Sequence, residues 1–369
     1  MVDLPKKMRA LVAHAPKDYR IEEVDVPRAG EREIIIKVEA CGICAGDTKS
    51  YLGAPRFWGE EGRPSYIKAP VIPGHEFIGH IVELGPGVKG DFQIGDRVTS
   101  DQIVPCWDCK FCNSGRYWMC QKHDVYGFQY NVNGGMAEYM RLPKEAIVHK
   151  LPKDLPMEAA VLVEPYACAK HCIDRSQVGN EDFVVLSGVG CLGLGMIGCL
   201  KLRNPAKLVV LDINDQRLEL AKKFGADIVM NPAKEKIAPK IMEMTEGYGC
   251  DVYIEASGHP SSVQQGLDII RKLGRFVEFS VFGHPTTADW SIISDEKELD
   301  LLGVHLSPYC FPSVIEWIAD AKLSAISSRL VRSAHKLWSA CQEKKKDVKA
   351  KIKKSARSTK KPPNIKRRC

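Results

Sequence analysis

Phe183-Val184-Val185-Leu186-Ser187-Gly188-Val189-Gly190-Cys191-Leu192-Gly193 decides how this chain folds. Four apolar residues of strand length run into Gly-x-Gly-x-x-Gly, which opens an apolar helix. A second apolar strand, Leu208-Val209-Val210-Leu211, then ends on Asp212. Strand, glycine turn, helix, strand and terminal carboxylate together form the context a dinucleotide fingerprint requires. Glycines let the backbone approach a pyrophosphate, whose charge meets a helix N-terminus. Asp212 would accept hydrogen bonds from ribose hydroxyls and repel a 2′-phosphate, which favours NAD over NADP. The plainer alternatives are a glycine turn that binds nothing and an Asp212 that only caps a helix.

Outward from this stretch the texture is regular on one side and broken on the other. Downstream, a helix around Gln216–Phe224 is followed by strand Asp227–Met230. A helical stretch near Ile237–Thr245, strand Asp251–Ile254, a helix near Ser261–Leu273 and strand Arg275–Phe279 complete the series. Alternation of this kind predicts a parallel sheet covered on both faces. Upstream, from Met8 to about Lys150, short strands such as Ile34–Val38, Phe77–Val82 and Asp96–Thr99 are punctuated by turns such as Gly85-Pro86-Gly87. They predict a barrel-like, mostly antiparallel unit.

With 369 residues, 44% hydrophobic and 27% charged, the chain has the size of about two globular domains. Its net charge of +7 is unevenly spread: residues 323–369 carry 16 Lys/Arg against 2 Asp/Glu, so the remainder is mildly acidic. Neither an N-terminal apolar segment nor a membrane-length apolar run of ~18 residues is present. A soluble, cytoplasmic protein whose thiols stay reduced or bind metal is therefore expected.

Two sets of residues suit a metal. Cys106, Cys109, Cys112 and Cys120, spaced C-x2-C-x2-C-x7-C, offer four soft ligands and no open position, which is the pattern of a structural zinc. Cys41-Gly42-Ile43-Cys44-Ala45-Gly46-Asp47, Pro73-Gly74-His75-Glu76 and Leu162-Val163-Glu164-Pro165 scatter one thiolate, one imidazole and carboxylates. Such a set can hold zinc and leave a position open for chemistry.

Gly74-His75-Glu76, the four-cysteine lobe, Gly95-Asp96-Arg97-Val98 and the glycine fingerprint, in this order, resemble the zinc-containing medium-chain dehydrogenase/reductase family. The stretches Phe57-Trp58-Gly59, Gln121 to Phe128, Asp289 to Asp295 and His305 to Cys310 are similar to its polyol branch, closest to the erythritol/threitol dehydrogenases. The resemblance runs from about Met8 to Ile318. It implies an α/β fold: a Rossmann parallel-sheet cofactor domain plus a mostly β GroES-like catalytic domain with a structural-zinc lobe. The implied division is 1–160 catalytic, with the lobe at about 100–125, 161–305 NAD-binding, and 306–322 returning to the catalytic domain.

On the same resemblance, Cys44, His75, Glu76 and Glu164 match the catalytic-zinc ligands, and Asp47 matches a carboxylate that orients His75. Cofactor contacts fall on Gly188, Gly190, Leu192, Gly193, Asp212 and Arg217. Cofactors would be NAD and two zinc ions per chain. The implied reaction is oxidation of a secondary hydroxyl of erythritol or threitol to the ketose; sorbitol- or threonine-type activity on the same fold is the alternative. The implied assembly is a homo-oligomer, a dimer or tetramer, with no membrane partner.

Two positions depart from the family. Position 46, where a Ser or Thr would begin a proton relay, is Gly46. The last ~40 residues lack the apolar alternation of a closing strand, so 323–369 is expected to be disordered, as from an altered coding end, which puts activity in question. A catalytically impaired chain whose basic tail binds nucleic acid is the alternative of another class.

Overall fold

Six strands form one parallel sheet in the computed structural model, which describes residues 4–129, 131–283 and 285–320. They are β1 (Phe183–Ser187), β2 (Lys207–Leu211), β3 (Ile228–Met230), β4 (Cys250–Glu255), β5 (Ile270–Glu278) and β6 (Asp300–Gly303). Their order across the sheet is β3-β2-β1-β4-β5-β6. The strand order reverses between β1 and β4, so a crevice opens at the carboxyl ends of those two strands, where the glycine turn lies.

Side-chain alternation explains the two covered faces. Val184, Leu186, Leu208, Val210, Val252 and Ile254 point to one face, where helices Val163–Ser176, Cys191–Arg203 and Phe311–Ala319 bury them. Val185, Val209, Leu211 and Tyr253 point to the other, against Ile237, Ile241, Leu267 and Ile269. Strands buried on both sides read as continuous apolar runs, which is why the sequence reveals them.

The helix expected to reach Leu273 stops at Ile269, and residues from Ile270 join β5. Ile270 is extended and pairs with Cys250, the ladder then shifts register, and Leu273 takes a positive φ of 59°. Pairing with β4 has overridden the local helical pattern.

The upstream half contains an antiparallel five-stranded sheet in the order Tyr139–Leu142, Ile34–Cys41, Phe77–Leu84, Arg97–Ser100, Val148–Lys150. A hairpin, Lys7–Ala15 with Asp18–Asp25, lies beside it. The cysteine lobe loops out between Ile103–Val104 and Asp124–Val125, whose pairing closes its neck. No helix among the described residues is long and apolar enough to cross a membrane. The stretch 323–369, with the expected disorder and the nucleic-acid alternative, lies outside the described residues.

Candidate active site

Sheet register brings the scattered ligands together. Cys41 pairs with Phe77, so the residues just beyond them, Cys44 and His75, leave the sheet at one place. Cys44 caps helix Ala45–Tyr51: its Sγ accepts from the Gly46 N–H at 3.4 Å, and its own N–H donates to Asp47 Oδ2 at 2.9 Å. The cap aims the sulfur along a helix N-terminus, which favours a thiolate. Gly42 makes room for the neighbouring carboxylate, since a Cβ there would stand 2.2 Å from Glu76 Oε2.

Cys44, His75 and Glu76 place their ligand atoms within 4.8 Å of one another. Burial pushes the Cys44 thiol and the Glu76 carboxyl up, and pushes Glu164 up to about 8. Burial pulls His75 the other way, but its acidic neighbours, Cys44 foremost, then Asp47 and Glu164, outweigh it and push the imidazole well above its usual range. The fold thus crowds acids and one imidazole into a space where the acids resist ionising. A divalent cation reverses that preference. His75 Nδ1 is buried without a hydrogen-bond partner. The donor set of thiolate, imidazole and carboxylate fits zinc with a position left open.

Two expected members stand slightly apart. Glu164, 5% exposed at the start of helix Val163–Ser176, faces the same cleft but lies outside the tight triad, its Oε1 accepting from Cys168 Sγ at 3.4 Å. Asp47 Oδ1 is 4.0 Å from His75 Nδ1, beyond hydrogen-bond distance; its bonded partner is the Cys44 amide.

In the lobe, Cys106, Cys109, Cys112 and Cys120 also converge within 4.8 Å. Their sulfurs are 3.6 Å apart for Cys109–Cys112 and 4.0 Å for Cys106–Cys112. A tetrahedron of 2.3 Å Zn–S bonds places sulfurs about 3.8 Å apart. Backbone N–H groups of Cys106, Cys109 and Gln121 donate to the sulfurs of Cys120, Cys106 and Cys109 at 3.3 to 3.4 Å. The Gln121 amide, first among these influences, holds the Cys109 thiol down at about 6. Amides aimed at sulfur are the outer support a zinc–thiolate site needs. All twelve described cysteines are free of disulfides.

The glycines of the nucleotide turn divide their work. A Cβ on Gly188, at φ +101°, would press on the Ala256–Ser257 backbone at 2.6 Å, and one on Gly193 would stand 2.1 Å from the Gly188 carbonyl. These two serve packing. A Cβ on Gly190 would meet nothing within 4 Å. The backbone at Gly190 therefore borders open space at the helix N-terminus, the kind of place where a pyrophosphate can approach. Asp212 is not a helix cap, a role taken by Asn214. Its carboxylate accepts from the Val189 and Asn214 amides, each at 2.8 Å, and Arg217 Nη1 stands 3.8 Å away. A carboxylate has about four acceptor positions, so two remain for ribose hydroxyls.

The triad and Leu192 of the fingerprint line one cleft of about 610 Å³, walled also by Phe57, Phe128 and Val304. Lys49, on the helix capped by Cys44, reaches across it to the Val281 carbonyl. Several polar cleft residues carry no motif. Ser307 Oγ donates to Gln102 Oε1 at 2.7 Å, Gln102 Nε2 to Cys168 Sγ at 3.1 Å, and Cys168 to Glu164, a chain that orients the carboxylate. Tyr66, His123 and His305 line the outer part. Only the stretches Gln121 to Phe128 and His305 to Cys310 hint at the two histidines in the sequence, and nothing there singles out Tyr66.

Two family models match the chain: the alcohol dehydrogenase GroES-like domain over residues 30–153 and the zinc-binding dehydrogenase over 191–320. Erythritol/L-threitol dehydrogenase from Mycolicibacterium smegmatis is 51% identical over 322 residues, covering 87% of this chain and 89% of its own. A structure described as a short chain alcohol dehydrogenase from E. coli CFT073, complexed with NADH, aligns with a TM-score of 0.76 at 28% identity, covering 86% of this chain and 89% of that one. A zinc-binding dehydrogenase of Sinorhizobium meliloti bound to NADP aligns with a TM-score of 0.78 at 26% identity, covering 86% and 90%.

Proposed function

The chain belongs to the zinc-binding alcohol dehydrogenase family, and from that premise we propose that it oxidises a secondary hydroxyl of erythritol or threitol to the ketose with NAD. The observation that carries the reading is the Cys44–His75–Glu76 triad, set in one cleft with Leu192 of the fingerprint. The likeness to a tetritol dehydrogenase supports the choice of substrate.

Zinc bound by Cys44, His75 and Glu76 supplies a Lewis acid that makes the substrate hydroxyl more acidic. The rest is the work of the chain. The Gly190 backbone and the amides opening helix Cys191–Arg203 hold the pyrophosphate, and Asp212 binds the adenine ribose and disfavours a 2′-phosphate. Phe57 and Phe128 keep water from the reacting carbon. With Gly46 offering no hydroxyl, Glu164 takes up the proton at its carboxylate, held in place by the chain from Ser307. The same reading covers the division at about residue 160 and at 305, two zinc ions per chain, a cytoplasmic setting, and a homo-oligomer, dimer or tetramer, on family likeness.

The test is NADH formation with erythritol, L-threitol, sorbitol and L-threonine, with zinc quantified in parallel. The highest kcat/KM is expected on a tetritol with NAD, and Cys44→Ser is expected to abolish turnover and lower the zinc count from two to about one. Preference for L-threonine, or full turnover in Cys44→Ser, would overturn the reading.

A further inference from the structure

His123 and His305 meet at the outer end of the cleft, Nε2 to Nε2 at 2.7 Å, with rings stacked 4.9 Å apart. His123 follows the cysteine lobe at a positive φ of 53°, and His305 lies two residues beyond β6; both line the cleft. Neither belongs to a metal-ligand cluster. A run of rings links the pair to the triad: His75 to Phe128 at 5.6 Å, Phe128 to Tyr66 at 5.5 Å, Tyr66 to His123 at 5.7 Å.

One proton lies between the two Nε2 atoms, and the neighbours decide who owns it. Tyr66 Oη is 2.9 Å from the His123 carbonyl and 3.2 Å from His123 Nδ1. The carbonyl can only accept, so the phenol proton goes there, and His123 Nδ1–H donates back to the phenol oxygen. A neutral His123 then accepts at Nε2, His305 donates from Nε2, and His305 Nδ1 keeps a lone pair. That nitrogen has no hydrogen-bond partner among the described residues, yet it is not sealed from solvent. Two Nε2–H groups cannot face each other at 2.7 Å, so at least one of the two rings is neutral.

We propose that His305 Nδ1 accepts a hydrogen bond from a substrate hydroxyl remote from the reacting carbon, with His123 and Tyr66 as positioning residues that fix its tautomer. The proposal rests on the polyol reading and deepens it. A lone pair takes a donor and rejects a carbonyl or carboxylate. Arg56, at the same end of the cleft, disfavours an ammonium. A neutral hydroxyl is what remains, so the pair selects a tetritol over a simple diol with an apolar end, and over an amino alcohol.

The test is equilibrium binding of erythritol and 2,3-butanediol to the full-length, zinc-loaded protein with NADH, alongside steady-state NAD reduction with both alcohols. The comparison is wild type, His305→Phe, which keeps the ring stack, and His305→Asn, which returns an acceptor near Nδ1. The wild type is expected to bind erythritol about tenfold tighter than the diol. His305→Phe is expected to lose that ratio through a raised KM for erythritol, His305→Asn to recover part of it, and His123→Phe to lose it in the same way. An unchanged ratio in His305→Phe, equal loss for both alcohols, or no preference in the wild type would overturn the proposal. Binding preference without any NAD reduction would instead count against the polyol-oxidation reading and leave the proposal supported.

Discussion

Gly46 and Gly190 are alike in sequence and opposite in consequence. A Cβ at position 46 would find Cys44 Sγ at 3.6 Å and Phe57 Cζ at 3.8 Å, ordinary contact distances. Gly46→Ser should therefore fold normally and restore a relay hydroxyl. We expect kcat to rise about tenfold with a changed pH–rate profile; an unchanged profile would mean that Glu164 suffices. At the nucleotide turn, Gly190→Ala should leave thermal stability intact and weaken NADH binding, read by fluorescence. Gly193→Ala forces a Cβ against the Gly188 carbonyl and should cost about 1–3 kcal/mol of stability, measured by denaturant unfolding. If Gly190→Ala bound NADH as the wild type does, the pyrophosphate site would be misassigned.

Among the elements, the lobe is a loop stapled at its neck by two short strands and within by four sulfurs. Its four thiols converge without a disulfide to hold them, so its order is expected to depend on metal. Cys112→Ser is expected to leave about one zinc per chain and to open the lobe to protease, while NADH still binds the remote parallel sheet. Retention of two zinc ions would refute this. The lobe was readable because its ligands sit within fifteen residues of sequence. The parallel sheet was readable because doubly buried strands are uniformly apolar. The hairpin Lys7–Ala15/Asp18–Asp25 was not: none of the residues of Asp18–Asp25 is buried, and its turn carries no Gly signal. Nor was β6, four mostly exposed residues. Pairing with β5 makes it a strand.

For the molecule as a whole, a buried histidine and a half-buried carboxyl set opposite limits on stability. Burial, then Arg175, lowers His171 to about 4; burial, then Glu255, raises Glu278 to about 8. As pH falls from about 6.5 towards 4 the unfolded chain protonates at His171 and the native one does not, so stability is lost. As pH rises from about 4.5 towards 8 the unfolded chain releases the Glu278 proton and the native one keeps it, so stability is lost there too. Thermal unfolding across pH should show His171→Asn flattening the acid decline and Glu278→Gln the alkaline one; unaltered slopes would remove these groups from the account. The proposed ligands Cys44 and His75 are close in space because short motifs place them at the paired ends of two neighbouring strands. The His123–His305 contact joins residues 182 apart in sequence and depends on how the halves dock, which no local pattern encodes.

His123 lies three residues beyond Cys120, so the last sulfur of the lobe and the outer wall of the cleft move as one piece of chain. Loss of metal from the lobe would then be felt as poor discrimination before it was felt as poor speed. A partly loaded preparation would behave as two populations, one fastidious and one permissive, and its saturation curve for a tetritol would be biphasic while that for a simple diol stayed hyperbolic.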